Sequence, residues 1–151
     1  MMYDLEDLYQ EIVMDHNRRP RNFGEIKNPT NFADGFNPLC GDQITLQLHL
    51  EDGLVSDVAF RGVGCAISKS SASMMTEELK GKTLDHAENL FEAFRKMITR
   101  NPGDSYDSDI LGDLEIFQGV SRYPARIKCA TLAWHTLHSA IHDENEVIST
   151  E

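Results

Sequence analysis

The chain has 151 residues, 40% of them hydrophobic and 26% charged, a balance that suits one domain around a single core. Its 25 acidic side chains outnumber 14 Lys and Arg for a net charge of −11, and the basic residues cluster only at Arg18, Arg19 and Arg21, so no nucleic-acid partner is expected. No run approaches the ~20 apolar residues that cross a bilayer, and the acidic, amphipathic start (MMYDLEDLYQEIVMDH) lacks the pattern of a secretory or transit leader, so the expectation is a cytoplasmic protein with no membrane partner.

Leu5, Leu8, Tyr9, Ile12, Val13 and His16 recur at helical spacing, and Pro20 with the polar run 17–22 ends this first helix. Residues 23–41, rich in Asn, Pro and Gly, read as loop with one short edge strand near Phe32–Phe36. In QITLQLHLE (43–51), Ile44, Leu46, Leu48 and Leu50 alternate with polar neighbours, which predicts a half-buried strand. Asp52-Gly53 marks a tight hairpin turn, and Leu54 to Arg61 returns antiparallel with Val55, Val58 and Phe60. Gly62 and Gly64 break that strand just ahead of Cys65.

A helix is predicted over 68–80, capped by Ser68 or Ser70 and stopped at Gly81. Thr83 begins another, with Leu84, Ala87, Leu90, Phe91, Phe94, Met97 and Ile98 on one face. A polar loop (101–108) and a short helical stretch (110–120) follow, and Pro124 opens a last helix whose apolar stripe is Ala130, Ala133, Trp134, Leu137 and Ile141. Residues 143–151 read as a frayed tail. The expectation is a single α+β domain over 3–142: a small antiparallel three-stranded sheet with helices packed on one side.

Three cysteines, an odd count, in a reducing compartment argue against a disulfide framework. Cys40 lies between Pro38 and Gly41, on a turn where solvent and a partner reach the thiol, and Asp42 is two residues along. Cys65 sits where a strand gives way to a helix, and Cys129 in the first turns of the last helix, next to Lys128. Helix N-termini and a neighbouring ammonium favour a thiolate. Cys40, Asp42, Cys65 and Cys129 together supply the four donors of a tetrahedral zinc or iron–sulfur site, with the carboxylate the weakest-held donor for a soft metal. The wide spacing matches no CxxC-type motif, and free cysteines commonly fill core space. Both readings stand on spacing alone; the glycines beside Cys40 and Cys65 lean toward function.

Six segments carry a resemblance. They are Asp15-His16 through Pro20-Arg21-Asn22-Phe23-Gly24, Asn37 to Asp42 (NPLCGD), Gly64 to Ser68 (GCAIS), Ser70 to Met75 (SSASMM), Gly81-Lys82, and Lys128 to Trp134 (KCATLAW). In this order, over nearly the whole chain, they resemble the IscU/SufU/NifU family of U-type iron–sulfur cluster assembly proteins. The resemblance implies a SufE/IscU-like fold and makes Cys40, Asp42, Cys65 and Cys129 the metal or cluster ligands. It also makes Cys40, on a mobile loop, the thiol that receives persulfide sulfur from a cysteine desulfurase. Lys128 stands where the IscU branch has His, and the stretch from Arg100 to Tyr123 is longer than in that branch. Both features are similar to the SufU branch, which holds zinc and relays sulfur from a SufS-type desulfurase. The implied function is a zinc-dependent sulfur acceptor of the sulfurtransferase type, serving downstream iron–sulfur assembly or acceptor proteins. The alternative is a scaffold for a [2Fe–2S] cluster; a structural zinc domain comes third.

Among the remaining residues, Arg126, three before Cys129, is placed near the site, where it would steer an anionic sulfur species. His135, His138 and His142 share one face of the last helix and read as a solvated polar face rather than a second metal site. His16 is read as a helix-end cap for carbonyls. Ser70, Ser71 and Ser73 read as tight helix packing, not a phosphate site.

Overall fold

A computed structural model describes residues 5–101, 103–142 and 148–149. In chain order they form α1 (Leu5–Arg18), β1 (Asn31–Asn37), β2 (Asp42–Glu51), β3 (Leu54–Val63), α2 (Ala66–Leu79), α3 (Leu84–Thr99), α4 (Ser108–Leu111), a 3₁₀ segment (Gly112–Arg122), α5 (Pro124–Ile141) and β4 (Ile148–Ser149). The sheet order is β3-β2-β1-β4, with β1–β2 and β2–β3 antiparallel as the alternating pattern requires. The Asp52-Gly53 turn joins β2 to β3 with both residues at positive φ (53° and 76°), the backbone that matches strand twist in a two-residue hairpin.

Ile44, Leu46 and Leu48 are buried on one face of β2, while Thr45, Gln47 and His49 on the other stay partly exposed. The helices cover the buried face, α5 lying over β1 and β2 and α2 over β3. Gly35 of β1 permits that close seat, since a Cβ there would come within 2.1 Å of Thr136 Oγ1. Trp134 fills the centre, stacked on Phe94 at 4.5 Å between ring centroids and donating Nε1–H to Ser71 Oγ (3.1 Å).

Several expectations need correcting. β3 runs through Gly62 to Val63; the glycine does not break it but lets it approach β2, where a Cβ would meet the Gln43 carbonyl oxygen at 1.9 Å. The region before β1 is not all loop, because Phe23 bridges to Phe60 along the outer edge of β3. α5 is buried on more than its apolar stripe: Thr131, Thr136 and Ser139 are interior too. Thr131 and Thr136 hydroxyls donate to carbonyls one turn back, which satisfies them without solvent. Of the expected frayed tail, 143–147 and 150–151 lie outside the described residues. Ile148 and Ser149 instead pair in parallel with Gly35 and Phe36, adding β4 to the three expected strands. Among the described residues His16 caps no carbonyl; its Nδ1 bonds Ser73 Oγ of α2 at 2.7 Å, and burial draws its pKa below the usual imidazole value. The serines of α2 are packing residues, with Ser71 Oγ donating to the Ala130 carbonyl (2.7 Å).

Candidate metal centre

The β1–β2 connection is only Pro38, Leu39, Cys40 and Gly41, and Asn37 and Asp42 pair across its base. Gly41 takes φ +72°, a conformation that a side chain would strain. The turn leaves Cys40 exposed and Leu39 61% exposed.

Asp42, by contrast, is fully buried. Its Oδ1 accepts from the Cys65 backbone N–H (2.8 Å) and its Oδ2 from Asn37 Nδ2 (3.0 Å). Gly64 makes room for the carboxylate, because a Cβ there would lie 2.5 Å from Oδ1. Cys65 is the N-cap of α2: its Sγ accepts from the Ser68 N–H at 3.5 Å, the role sequence reasoning gave to Ser68 or Ser70. A sulfur serves there because the first-turn N–H groups need an acceptor; thiols are rarely counted among caps, which is why the sequence pointed to a serine instead.

The chain brings together donors from a turn, a strand, a helix cap and a helix. Cys129 Sγ lies 3.3 Å from Cys40 Sγ, and one donor atom each from Cys40, Asp42 and Cys129 fall within 4.8 Å of one another. Cys65 joins them through Asp42, with its Sγ 3.9 Å from Oδ2. Tetrahedral zinc with sulfur ligands needs donor–donor separations of about 3.7 Å. The Cys129–Cys40 pair, at 3.3 Å, is somewhat closer than that, and the Cys65 sulfur to Asp42 oxygen distance of 3.9 Å is somewhat longer than the ~3.5 Å expected for a sulfur–oxygen pair. The donor set therefore fits a soft or borderline ion.

Cys129 does not behave as its helix position suggested. It is 3% exposed, and its thiol is pushed far above the ordinary value by burial, by its hydrogen bond with Cys40, and by the negative charges of Cys65 and Asp42. Desolvation and crowding of like charge thus outweigh the helix dipole. A cation among these groups would reverse the balance.

Sequence reasoning missed two neighbours. Asn37 Nδ2 reaches both Asp42 Oδ2 and Cys129 Sγ (3.5 Å), tying strand to helix beneath the turn. Tyr9 of α1 has a buried hydroxyl with no hydrogen-bond partner among the described residues. Burial raises its pKa first; the Arg126 charge lowers it, and Cys65 and Cys129 raise it. Asn37 falls in a segment that carries the family resemblance, but no pattern gives it or Tyr9 these roles, which arise only when distant elements pack. Arg126 is exposed and lies over the Tyr123 ring (4.7 Å), and Lys128 is half-buried without an ion pair among the described residues.

Comparison with known proteins gives the family. The chain is 45% identical over 142 residues to the zinc-dependent sulfurtransferase SufU of Bacillus subtilis (strain 168), covering 93% of this chain and 94% of that one. It is 37% identical over 134 residues to the iron–sulfur cluster assembly scaffold protein IscU of Thermotoga maritima, covering 89% and 92%. The crystal structure of an iron–sulfur cluster assembly scaffold protein proposed for the SUF system of Fervidobacterium islandicum AW-1 superposes with a TM-score of 0.81 at 35% identity, over 87% of this chain and 94% of that one. The NifU-like N terminal domain profile matches residues 8–130, and the chain belongs to that family.

Proposed function

We propose that this protein is a zinc-dependent sulfur acceptor of iron–sulfur cluster assembly, taking persulfide sulfur from a cysteine desulfurase on Cys40. Cys40, Asp42, Cys65 and Cys129 would hold the zinc. Bound there, zinc would keep the sulfurs as thiolates and offset the charge that burial otherwise opposes. The observation that carries the reading is the contrast in access: Cys40 is exposed, Cys65 half-buried and Cys129 buried. Of the three thiols, Cys40 is the one a second protein can reach.

The transfer is ordinary thiol exchange. The Cys40 sulfur attacks the outer sulfur of the donor's persulfide and forms a new S–S bond. The donor's own S–S bond breaks, and its cysteine leaves as a thiolate. The Asn37–Asp42 pairing holds the turn so that Cys40 is presented outward. Arg126, one turn before Cys129 and exposed, would draw the anionic persulfide. A SufS-type desulfurase is the proposed donor, in the cytoplasm, where three free thiols stay reduced; iron–sulfur assembly or acceptor proteins would receive the sulfur. The name of the B. subtilis relative supports the zinc and the transfer.

Mass spectrometry after incubation with a cysteine desulfurase and cysteine tests this. One added sulfur on Cys40, absent from Cys40→Ala, is the expected result; sulfur carried equally by Cys40→Ala overturns the relay. The scaffold reading has its own support in the T. maritima relative. Anaerobic purification separates the two: a colourless zinc protein supports the relay, and a brown, oxygen-sensitive one the scaffold.

A further inference from the structure

α3 and α5 pack against each other, and three donors meet between them away from the cysteines. Glu88 of α3, His138 of α5 and His142 at its C-cap each offer one ligand atom, all within 4.8 Å of one another. His142 Nε2 lies 3.0 Å from Glu88 Oε1, and the two imidazole centroids are 4.3 Å apart. The two histidines sit four residues apart, on one helix face. Phe91 fixes the His138 ring by stacking on it (5.0 Å, 19°), so that histidine is half-buried and not simply solvated. His138 Nδ1 is buried with no hydrogen-bond partner among the described residues. His135, the third histidine of this face, turns its edge to Phe91 and is not among the donors.

We propose that Glu88, His138 and His142 form a second divalent-cation site, selective for zinc-like ions. Two imidazoles and one carboxylate suit zinc, which accepts three protein ligands and leaves a position for water. Calcium and magnesium want an all-oxygen shell and are poorly matched. An i, i+4 histidine pair on a helix is a pre-aligned chelate, requiring little ordering when the ion arrives. The side chains of His142 and Glu88 are 46% and 37% exposed, so an ion enters from solvent without opening the core. From Cys129 to His138 is roughly 14 Å along the helix, so the site is separate from the cysteine centre and stands independently of its reading. Filled, it pins the end of α5 to α3, and it stabilises the fold by an amount that grows with the logarithm of free ion above the dissociation constant.

Calorimetric titration of zinc into the full-length chain already holding zinc at its cysteine centre reads this directly. The wild type is expected to show a second, weaker binding event. His142→Gln and Glu88→Gln should each weaken that event by more than about a hundredfold, beyond the loss typical of removing a supporting partner. Both substitutions sit at the rim and leave the stacked His138 in place, and the circular dichroism of the variants before zinc is added checks their fold. Cobalt added to the zinc-loaded chain should give visible bands without sulfur-to-metal charge transfer. Absence of the second event in the wild type, its survival unchanged in both variants, or sulfur charge-transfer bands from the added cobalt would overturn the proposal.

Discussion

Helix α5 carries candidate metal ligands at both ends, and the two ends are built on opposite plans. Near its start, Cys129 meets donors from a turn, a strand and another helix's cap, and a layer of supporting contacts sets each one. Asn37 bonds Asp42 and Cys129, Gly64 leaves space for the carboxylate, and Ser68 donates to Cys65. At its far end, His138 and His142 come from one stretch of helix, with one carboxylate opposite and one aromatic ring as support. Donors far apart in sequence need a rigid surround to converge; donors one turn apart inherit their alignment from the helix. The cysteine end should therefore be tight and intolerant of change, and the histidine end weak and tolerant.

Metal removal tests that contrast most severely. With free zinc ~1,000-fold above the dissociation constant, binding adds about 4 kcal/mol, or ~8–16 °C in Tm for a chain of this size. Scanning calorimetry should show a drop of that order when the cysteine centre is stripped, and only a few degrees between one zinc and two. Equal drops would erase the distinction.

Asp42→Ala comes next. It leaves Asn37 Nδ2 and the Cys65 N–H without their acceptor in a buried place. Urea unfolding of the zinc-free protein should show a loss of about 2–4 kcal/mol. Asp42→Asn, which keeps acceptor capacity, should lose less. Gly64→Ala forces a methyl against a carboxylate that is already bonded on both oxygens, at an expected cost of about 1–3 kcal/mol with weakened zinc binding. An unchanged urea midpoint would show that the carboxylate moves aside freely.

A pH series sharpens the picture further. The Cys129 thiol is raised in the folded chain, so its contribution to stability is complete below the ordinary thiol value of 9.0 and declines as pH climbs above it. The folded state then holds a proton that the unfolded state has released, at up to ~1.4 kcal/mol per pH unit. Zinc-free wild type should weaken along this alkaline limb, and Cys129→Ala should flatten it. The smallest effect is expected from Arg126→Ala, a roughly threefold slower sulfur transfer that shrinks in high salt. A salt-independent change would deny the guanidinium a steering role.

Much of the frame was legible from residue order. The alternation in 43–51 and the Asp52-Gly53 pair specify the hairpin, and Thr83 and Pro124 mark real helix starts. Each is a local preference that packing reinforces. The rest depended on contacts that no local pattern encodes. Thr131, Thr136 and Ser139 look like surface residues until their burial in α5 is seen. Asn37 reads as a loop residue until Asp42 and Cys129 close around it. The histidines look like a wet face until α3 brings Phe91 and Glu88 against them. The four ligand candidates were found by type and by kinship, whereas their mutual distances needed the fold.

The turn bearing Cys40 has a consequence for how two proteins must share the work of transfer. Anchored at Asn37 and Asp42, four intervening residues form a leash whose apex strays at most about 8 Å from its base. If Cys40 is the sulfur acceptor, so short a leash gives it little travel of its own, and most of the approach falls to the donor that brings its sulfur to this turn.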